Sequence, residues 1–292
     1  MLAIVGPTAS GKSALALRIA RASGGEIVAC DSMQVYRGLD IGTAKPSAAE
    51  RAEVAHHLVD VVDPDQPFSA ARYVELADRA IAEVRARGRE PIVCGGTGLY
   101  LRALRWGLIE APPRDERLRA RLMEEELRAP GSLHAQLAAV DPASASKIAP
   151  RDRVRVIRAL EVFQLTGRPL SAHHAGHAPS ERQPMKVAVL SPPPSELEPR
   201  IVARTRAMLA AGLVDETRRA IARYGEVVPL QAVGYREAAA FLDGKLAESE
   251  LEPAIVRSTR RYARRQRTWF KKEREVLFCP DEAALLAAVG LS

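Results

Sequence analysis

The sequence LAIVGPTASGKS at positions 2–13 joins a short apolar strand to a glycine-containing loop and then to a helix. The loop fits the pattern G-x-x-x-x-G-K-[ST], which is specific for phosphate binding when a strand precedes it and a helix follows it. Glycine lets the backbone curl so that successive amides point at one anion, and the N-terminus of the helix adds positive partial charge. The stretch therefore predicts a polyphosphate-binding loop that leaves the first strand of a parallel sheet.

Two side chains of this loop have separate predicted tasks. Lys12 is expected to reach the distal phosphate oxygens, and the hydroxyl of Ser13 is expected to bind Mg²⁺. The predicted phosphate ligands are Gly6, Pro7, Thr8, Ala9, Ser10, Gly11, Lys12 and Ser13.

The residues that follow the neighbouring strands differ from those of an ordinary P-loop NTPase. Such an enzyme places a carboxylate after a second apolar strand to hold Mg²⁺. The strand predicted at residues 91–94 ends instead in GGTG at positions 95–98, without an acid. Asp31, which follows the strand predicted at residues 26–30, is the acid at a strand end nearest the loop in sequence. The loop therefore indicates a small diphosphate whose chemistry differs from phosphoryl transfer.

Apolar runs of strand length alternate with helical stretches in the N-terminal part of the chain. This alternation predicts an α/β fold, a P-loop NTPase-like parallel sheet flanked by helices. The predicted strands are residues 2–5, 26–30, 58–62, 91–94, 186–190 and 276–279, and the predicted N-terminal helices are residues 11–22, 70–87 and 97–104.

The pattern changes near Pro112-Pro113, where strand-like runs give way to arginine-rich helical periodicity. The spacing predicts helices at residues 114–128, 133–140 and 152–165. We therefore expect an all-helical insertion domain at residues 113–176, within a P-loop catalytic core formed by residues 1–112 and 177–292.

The composition restricts the environment and the partner. The 292 residues contain 43 Lys and Arg against 36 Asp and Glu, which gives a net charge of +7 and favours a polyanionic partner. Three widely spaced cysteines are typical of a reducing compartment, so we expect a cytoplasmic protein. Neither a secretory leader nor an apolar run of about 18 residues is present, so no membrane association is expected.

Residues 257–274 carry nine basic side chains and one acid, Glu273. A solvated helix usually mixes both signs of charge, so this stretch favours a phosphate-binding stripe, with a solvated face as the alternative. Tyr262, Trp269 and Phe270 are expected to anchor the helix. A second basic cluster is formed by Arg151, Arg153, Arg155 and Arg158.

Several longer motifs resemble the tRNA dimethylallyltransferase (tRNA isopentenyltransferase) family. They are DSMQVYR at 31–37, GTAK at 42–45, GGTGLY at 95–100, DRVRVIRALE at 152–161, QAVGYRE at 231–237 and RRQRTWF at 264–270. The resemblance implies transfer of a dimethylallyl group from dimethylallyl diphosphate to N6 of adenosine-37, in tRNAs that read codons beginning with U. The products are N6-isopentenyladenosine and diphosphate, and the phosphate loop then holds the leaving group.

The predicted catalytic residues are Asp31, Thr97 and Arg204. An exocyclic amine must lose a proton as it attacks, so a carboxylate at the ligand-binding edge of the sheet suits a general base, and Asp31 has capping of the next turn as its alternative. Thr97 would either contact the substrate or cap the following helix. Arg204 is assigned to the leaving group by resemblance, with a solvated helix face as its alternative.

The partners implied are the tRNA anticodon stem-loop and dimethylallyl diphosphate, with Mg²⁺ as cofactor and the protein acting as a monomer. Adenosine-37 must be flipped out of its stack to enter a pocket. The resemblance implies that residues 31–34 and 231–236 contact the flipped adenine and its neighbours. Gln34 has the donor and acceptor that an adenine edge can match, with an ordinary loop amide as its alternative. The predicted tRNA contacts are Asp31, Ser32, Met33, Gln34, Thr97, Arg119, Val154, Arg155, Val156, Ile157, Arg158, Gln231, Ala232, Val233, Gly234, Tyr235, Arg236, Arg260 and Arg264.

Other functions compete with this interpretation. A P-loop small-molecule kinase shares the loop and the sheet, a non-catalytic RNA-binding module shares the basic charge, and an adenylate isopentenyltransferase shares the chemistry but acts on a free nucleotide. His173, His174 and His177 have a spacing that can bind metal, but an exposed flexible loop is favoured there because no Cys or paired acid is near.

Overall fold

The structure, a computed structural model, describes residues 1–176 and 180–291. That part of the chain folds into two compact units. The first contains Met1–Trp106 and Glu181–Ser292, and the second is Gly107–Ser180. The second unit thus begins six residues before the boundary expected at 113 and ends four residues after the one expected at 176. Both ends follow from contacts in the first unit, because Arg105 Nε donates to the carboxylate of Glu181 at 2.7 Å.

The first unit is built on a parallel sheet whose order is β3-β2-β4-β1-β5-β6 among the described residues. Its strands are β1 (Leu2–Val5), β2 (Glu26–Cys30), β3 (His56–His57), β4 (Pro91–Gly95), β5 (Lys186–Leu190) and β6 (Val276–Cys279). Every residue of β2 and β4 is buried, as expected for central strands covered by helices on both faces. The predicted α/β fold with a P-loop-like parallel sheet is confirmed.

The helices of the first unit are α1 (Lys12–Ser23), α2 (Ala48–Glu53), α3 (Ala70–Ala86), α4 (Gly98–Trp106), α10 (Pro194–Ala210), α11 (Leu213–Tyr224), α12 (Tyr235–Leu242), α13 (Glu248–Phe270) and α14 (Glu282–Val289); the helices numbered between α4 and α10 lie in the second unit. Of these, α3 and α4 pack on one face of the sheet, and α1 and α14 pack on the other. In α3, Tyr73, Ala77, Ile81 and Val84 recur at helical spacing and are buried, which gives the helix one apolar face toward the sheet.

The strand predicted at residues 58–62 is wrong. The strand in this region is β3, which ends at His57. Leu58 and Asp60 have φ values of 63° and 58°, and extended backbone requires negative φ. The apolar side chains in this run therefore pack from a loop, and Val62 forms an isolated parallel bridge with Tyr36 outside the strands of the sheet.

The second unit is helical, as predicted. It contains α5 (Glu116–Arg128), α6 (Ser132–Val140), α7 (Pro142–Ala145), α8 (Arg153–Thr166) and α9 (Leu170–Ala175). Its own core includes Leu122, Leu133 and Leu137. His173 and His174 lie on α9, so the flexible loop expected there is wrong for these two residues, and His177 lies outside the described residues.

In the part of the chain that the structure describes, no helix combines the length and the apolar character that crossing a bilayer requires.

Candidate active site

The loops that follow β1, β2 and β4 leave the sheet side by side. Val5 and Cys30 both pair with Gly95, so these three strands end at the same level. Carboxyl ends of parallel strands are where ligands bind in open α/β sheets. This register brings the phosphate loop, Asp31 and the turn at Gly96 to a single edge.

The phosphate loop adopts the backbone that its glycines predicted. Gly6 lies against the backbone of β5, where a Cβ atom would stand 2.2 Å from the carbonyl oxygen of Leu190. Gly11 has φ of 94° at the N-terminus of α1, a left-handed conformation that favours glycine. Ala9 also has positive φ, at 63°. The loop therefore curls tightly at the start of a helix, the geometry that directs amides at an anion.

A cavity of about 230 Å³ lies in front of this loop and has a cationic lining. Its charged side chains are Lys12, Arg200 and Arg204, and the Ser13 hydroxyl also lines it. Burial lowers the pKa of the Lys12 ammonium, although the nearby Asp31 carboxylate acts in the opposite direction. Lys12 is partly withdrawn from water, and a cation in such a place gains from an anionic ligand that replaces the lost solvation.

A larger cavity of about 570 Å³ adjoins the first and shares Lys12, Ser13 and Arg204 with it. Asp31 lines this second cavity. So do most of the predicted adenine contacts, namely Ser32, Met33, Gln34, Gln231, Ala232, Val233, Gly234 and Arg236. An anion site and a carboxylate are therefore joined in one continuous space.

Asp31 caps the turn that follows it and also faces the cavity. Its Oδ1 accepts hydrogen bonds from the amides of Met33 at 2.8 Å and Gln34 at 3.4 Å. Its Oδ2 accepts none from residues 1–176 and 180–291. The capping alternative is therefore present in the structure, and it leaves the second carboxylate oxygen open to the cavity, so capping does not exclude the predicted catalytic role.

Thr97 does not cap α4 with its side chain. Its Oγ1 accepts a hydrogen bond from the amide of Ser32 at 3.0 Å and donates one to the Ser32 hydroxyl at 3.3 Å. The hydroxyl therefore ties the turn after β4 to the residue that follows Asp31. The carbonyl of Thr97 accepts the amide of Leu101 at 3.2 Å at the start of α4, so the N-cap alternative holds for the backbone and not for the side chain.

Arg204 lies on α10 and is half-buried where the cavities meet. Burial lowers the pKa of its guanidinium, and the Asp31 carboxylate acts in the opposite direction. The solvated-face alternative for this arginine is therefore wrong. Arg200, one helical turn earlier, also lines the smaller cavity and donates to the carbonyl of Ser10 at 3.3 Å. The sequence did not assign Arg200, although its i, i+4 spacing from Arg204 places both on one face of α10.

The inner face of α13 supplies cavity residues that the sequence did not assign. Thr259, Tyr262 and Gln266 follow one another at helical spacing and line the larger cavity. Burial raises the pKa of Tyr262 well above its usual range, and the Asp31 carboxylate adds to the effect. Tyr262 was expected only to anchor the helix, so its place beside the carboxylate is a finding of the structure.

Tyr235 supports the cavity from behind and is not a side-chain contact for RNA. Its side chain is fully buried, and its hydroxyl donates to the carboxylate of Glu216 at 2.6 Å. Glu216 also accepts the amides of Asp40, Ile41 and Gly42 at distances from 2.8 to 3.1 Å. A Cβ atom on Gly42 would lie 2.5 Å from the Tyr235 ring, so glycine is required there. These contacts join residues 40–42 to Tyr235, and so to the segment 231–236 that carries predicted adenine contacts.

The carboxamide of Gln34 is turned toward its own loop. Its Nε2 donates to the carbonyls of Thr43 at 3.3 Å and Ala44 at 3.1 Å. The donor half of the amide is therefore occupied, and the expected match of both halves to one adenine edge is wrong for this arrangement. Its Oε1 accepts no hydrogen bond among the described residues.

Four predicted tRNA contacts in the insertion have structural roles. Val156 and Ile157 are buried in the core of the second unit. Arg119 and Arg158 hold the fully buried carboxylate of Glu161, with distances of 2.7 and 2.5 Å. Val156 and Ile157 are unavailable to a partner without loss of the core, so the prediction is wrong for their side chains. Arg119 and Arg158 keep 18% and 31% of their side chains exposed, so a tRNA contact there stays a prediction. Val154 and Arg155, in contrast, are exposed.

The outer face of α13 is cationic and exposed, as the sequence predicted. The exposed arginines are Arg257, Arg260, Arg261, Arg264 and Arg265. Arg260 has the carboxylate of Glu198 at 3.6 Å. Phe270 is fully buried, and Trp269 packs against the same core under the Arg102 guanidinium, 4.6 Å from the ring centre. Aromatic anchoring on one face thus holds a row of cations on the other.

Comparisons with known proteins agree with this geometry. The family described as IPP transferase matches residues 34–273. A tRNA dimethylallyltransferase of Anaeromyxobacter dehalogenans (strain 2CP-C) is 53% identical and covers 95% of this chain and 94% of its own. One from Myxococcus xanthus (strain DK1622) is 51% identical and covers 97% and 93%.

Solved structures extend the likeness to the fold. The full-length tRNA isopentenylpyrophosphate transferase of Bacillus halodurans superposes with a TM-score of 0.68 at 38% identity, covering 95% of this chain and 88% of its own. A eukaryotic dimethylallyltransferase, solved in snapshots of its action on tRNA, gives a TM-score of 0.79 at 28% identity, covering 100% and 72%. The family expected from the motifs is confirmed: this chain belongs to the IPP transferase family.

Proposed function

We propose that this protein transfers a dimethylallyl group from dimethylallyl diphosphate to N6 of adenosine-37 in tRNAs that read codons beginning with U. The observation that carries the proposal is the continuity of a cationic cavity, at Lys12 and Arg204, with a carboxylate at Asp31. Such an arrangement suits a reaction in which an anion departs on one side while an amine loses a proton on the other.

Asp31 is the proposed general base. As the N6 nitrogen forms its bond to the first carbon of the dimethylallyl group, the bond from that carbon to the diphosphate oxygen breaks. The diphosphate leaves with the electron pair of that bond, and the proton of the amine passes to Oδ2 of Asp31. The bonds from the amides of Met33 and Gln34 to Oδ1 hold the carboxylate in orientation.

The leaving group is held by the phosphate loop, Lys12 and Arg204. Charge that develops on the departing oxygen meets cations that burial has partly withdrawn from water. Arg200 adds a further cation to the same cavity.

Mg²⁺ fits this site as a cation held chiefly by the diphosphate. The Ser13 hydroxyl lines both cavities, and among the described residues no cluster of three His, Cys, Asp or Glu side chains forms a cage for a metal. Mg²⁺ commonly binds through few protein ligands together with substrate phosphates, and when bound it neutralises negative charge on them. Ser13 is the proposed protein ligand.

The anticodon stem-loop is the proposed macromolecular substrate. Exposed arginines on α13 provide phosphate contacts, which favour RNA through counterion release. Those contacts offset the few kcal/mol, roughly, that flipping a base out of its stack costs. The cavity residues Gln231–Arg236, apart from the buried Tyr235, are proposed to receive the flipped base and its neighbours.

The oligomeric state and the cellular compartment are also proposals. We propose that the enzyme acts as a monomer. The three cysteines are free and buried, which supports work in the reducing cytoplasm.

A P-loop kinase is the competing function, and the site supports it less well. Kinases of this class need a carboxylate for Mg²⁺ after a second strand, whereas β4 ends at Gly95 and is followed by Gly96 and Thr97. The test is to incubate the protein with labelled dimethylallyl diphosphate, Mg²⁺ and unmodified tRNA that has adenosine at positions 36 and 37. Label on the RNA supports the proposal, and its absence together with ATP hydrolysis contradicts it.

Two matched substrates sharpen that experiment. A tRNA with guanosine at position 37 should take up no label, because it lacks the N6 amine. Free AMP should also remain unlabelled, since its single phosphate cannot make the several contacts that an RNA backbone makes with α13. Labelling of AMP at the rate seen with tRNA would instead indicate an adenylate isopentenyltransferase.

A further inference from the structure

Gln266 forms a bridge between the phosphate loop and the turn after β4. Its Oε1 accepts the amide hydrogen of Thr8 at 2.8 Å, and its Nε2 donates to the carbonyl of Gly96 at 2.9 Å. The orientation of the carboxamide is fixed by its partners, because an amide N–H only donates and a carbonyl only accepts. The side chain is 6% exposed, so water competes little for either bond.

The turn after β4 leaves the space that the Gln266 carboxamide occupies. A Cβ atom on Gly96 would lie 2.3 Å from Nε2 of Gln266, so glycine there admits the carboxamide. Trp269, about one turn after Gln266 on α13, also lies close to a glycine. A Cβ atom on Gly98 would lie 2.1 Å from the Trp269 ring. The GGTG turn is therefore shaped closely around the inner face of α13.

Contacts continue from this bridge to the carboxylate. The Gly96 carbonyl belongs to the same turn as Thr97, whose Oγ1 accepts the amide of Ser32 at 3.0 Å. Ser32 directly follows Asp31. An unbroken path of short hydrogen bonds and peptide units thus runs from the loop that faces the leaving group to the residue that faces the amine.

The bridge also changes what the phosphate loop can donate. The amide of Thr8 is engaged by Gln266, so it does not point at an anion. Thr8 was predicted among the phosphate ligands, and its backbone N–H is now accounted for within the protein. Gln266 therefore determines which amides of the loop remain for the diphosphate, in addition to where the loop stands.

From this geometry we infer that Gln266 is a positioning residue for prenyl transfer, which fixes the spacing between the diphosphate site and Asp31. The inference rests on the proposed function and adds a residue to it. Gln266 touches neither substrate in this role; it acts through Thr8 and Gly96. A displacement of about 1 Å between reacting groups is enough to cost roughly a hundredfold in rate.

The first test is Gln266→Met, which keeps the length of the side chain and removes both hydrogen bonds. We expect kcat to fall about a hundredfold while the Kd for tRNA stays within about twofold of the wild type, because the exposed face of α13 is untouched. Glu26→Gln is the matched control, since Glu26 is a buried polar residue at the start of β2, at the other end of the sheet from the site. The control should lose stability without losing kcat.

The second test separates positioning from mere support of the fold. Gln266→Glu keeps an oxygen that accepts from the Thr8 amide. Its second oxygen repels the Gly96 carbonyl when the carboxyl is ionised, and donates to that carbonyl, as Nε2 does, when the carboxyl is protonated. We expect the ratio of its kcat to that of the wild type to rise as the pH falls from about 8 to about 6, because burial raises the pKa of such a carboxyl.

Three outcomes overturn the inference. They are a Gln266→Met enzyme with unchanged kcat, a loss no greater than that of the control at equal folded fraction, and a Gln266→Glu ratio that does not depend on pH. A wild-type enzyme that transfers no label to tRNA would count against the proposed function instead, so the two failures are distinguishable.

Discussion

The amide of Ser32 donates a 3.0 Å hydrogen bond to Oγ1 of Thr97. These residues are 65 positions apart in the chain and lie on turns that follow neighbouring strands of the sheet. The contact places Asp31, the residue before Ser32, in a position set by two turns. A carboxylate held in this way can meet an incoming amine without first being ordered.

Replacement of Thr97 by valine tests that contact. Valine has the same shape but no acceptor, so the Ser32 amide loses its partner. We expect kcat to fall about tenfold, the effect of roughly one hydrogen bond, with little change in the Kd for tRNA. Thr97→Ser keeps the hydroxyl and should retain most of the activity. Equal loss in both variants would show that the hydroxyl is not what matters.

Asp31→Asn removes the proposed base while keeping the Oδ1 acceptor for Met33 and Gln34. Turnover should fall by roughly a hundredfold to ten-thousandfold, the usual contribution of general base catalysis. Affinity for tRNA, measured by filter binding, should change little because the turn is preserved. Substantial turnover by this variant would assign the proton to another group.

Neutralisation of Arg257, Arg261 and Arg264 tests the outer face of α13. The triple change to glutamine should weaken tRNA binding and reduce the slope of log K against log salt concentration by about one for each arginine that contacts a phosphate. Arg79→Gln on α3 is the control, since that side chain is exposed but lies outside the stripe. A slope equal to that of the wild type would show that these arginines face solvent and contact no phosphate.

Glu26 predicts a pH dependence of stability. Its carboxylate accepts charged hydrogen bonds from Arg87 and has His57 Nε2 at 2.7 Å, and the Arg87 interaction leads in lowering its pKa to about 2 from a usual value of 4.5. Because the folded-state pKa is the lower one, the stabilisation is complete above about pH 4.5 and is lost as the pH falls toward 2.

The measurement is urea unfolding of the wild type and of Glu26→Gln at several pH values. We expect the wild type to be more stable by about 2 kcal/mol near neutral pH, the contribution of charged hydrogen bonds, with the difference shrinking below about pH 4.5. A difference that stays constant down to pH 3 or so would be inconsistent with a titrating Glu26.

The fold was predictable where the sequence carries a local signal. Continuous apolar runs set the limits of β1, β2 and β5, because central strands are buried on both faces. Residues 58–62 carry the same apolar signal, yet the positive φ values of Leu58 and Asp60 turn the chain out of the strand. Composition does not reveal a backbone conformation that the surrounding packing imposes.

The site was predictable where a motif places chemistry within a few residues. Lys12, Ser13 and Asp31 lie next to strand ends, and the structure brings them to the same cavity. Gln266 was not found, because its partner Thr8 is 258 positions away. The motif around α8 raised the opposite difficulty, since family likeness does not separate residues that build a core from residues that face a partner.

Prenyl transfer and phosphoryl transfer differ most directly in what the phosphate loop holds when the enzyme turns over. That is measured by mass spectrometry of the RNA together with release of diphosphate, in the presence of both dimethylallyl diphosphate and ATP. The account predicts one diphosphate released for each isopentenyl group found on adenosine-37, with no release when tRNA is omitted and no change in ATP. Phosphate or ADP formed from ATP, with the RNA mass unchanged, would contradict it.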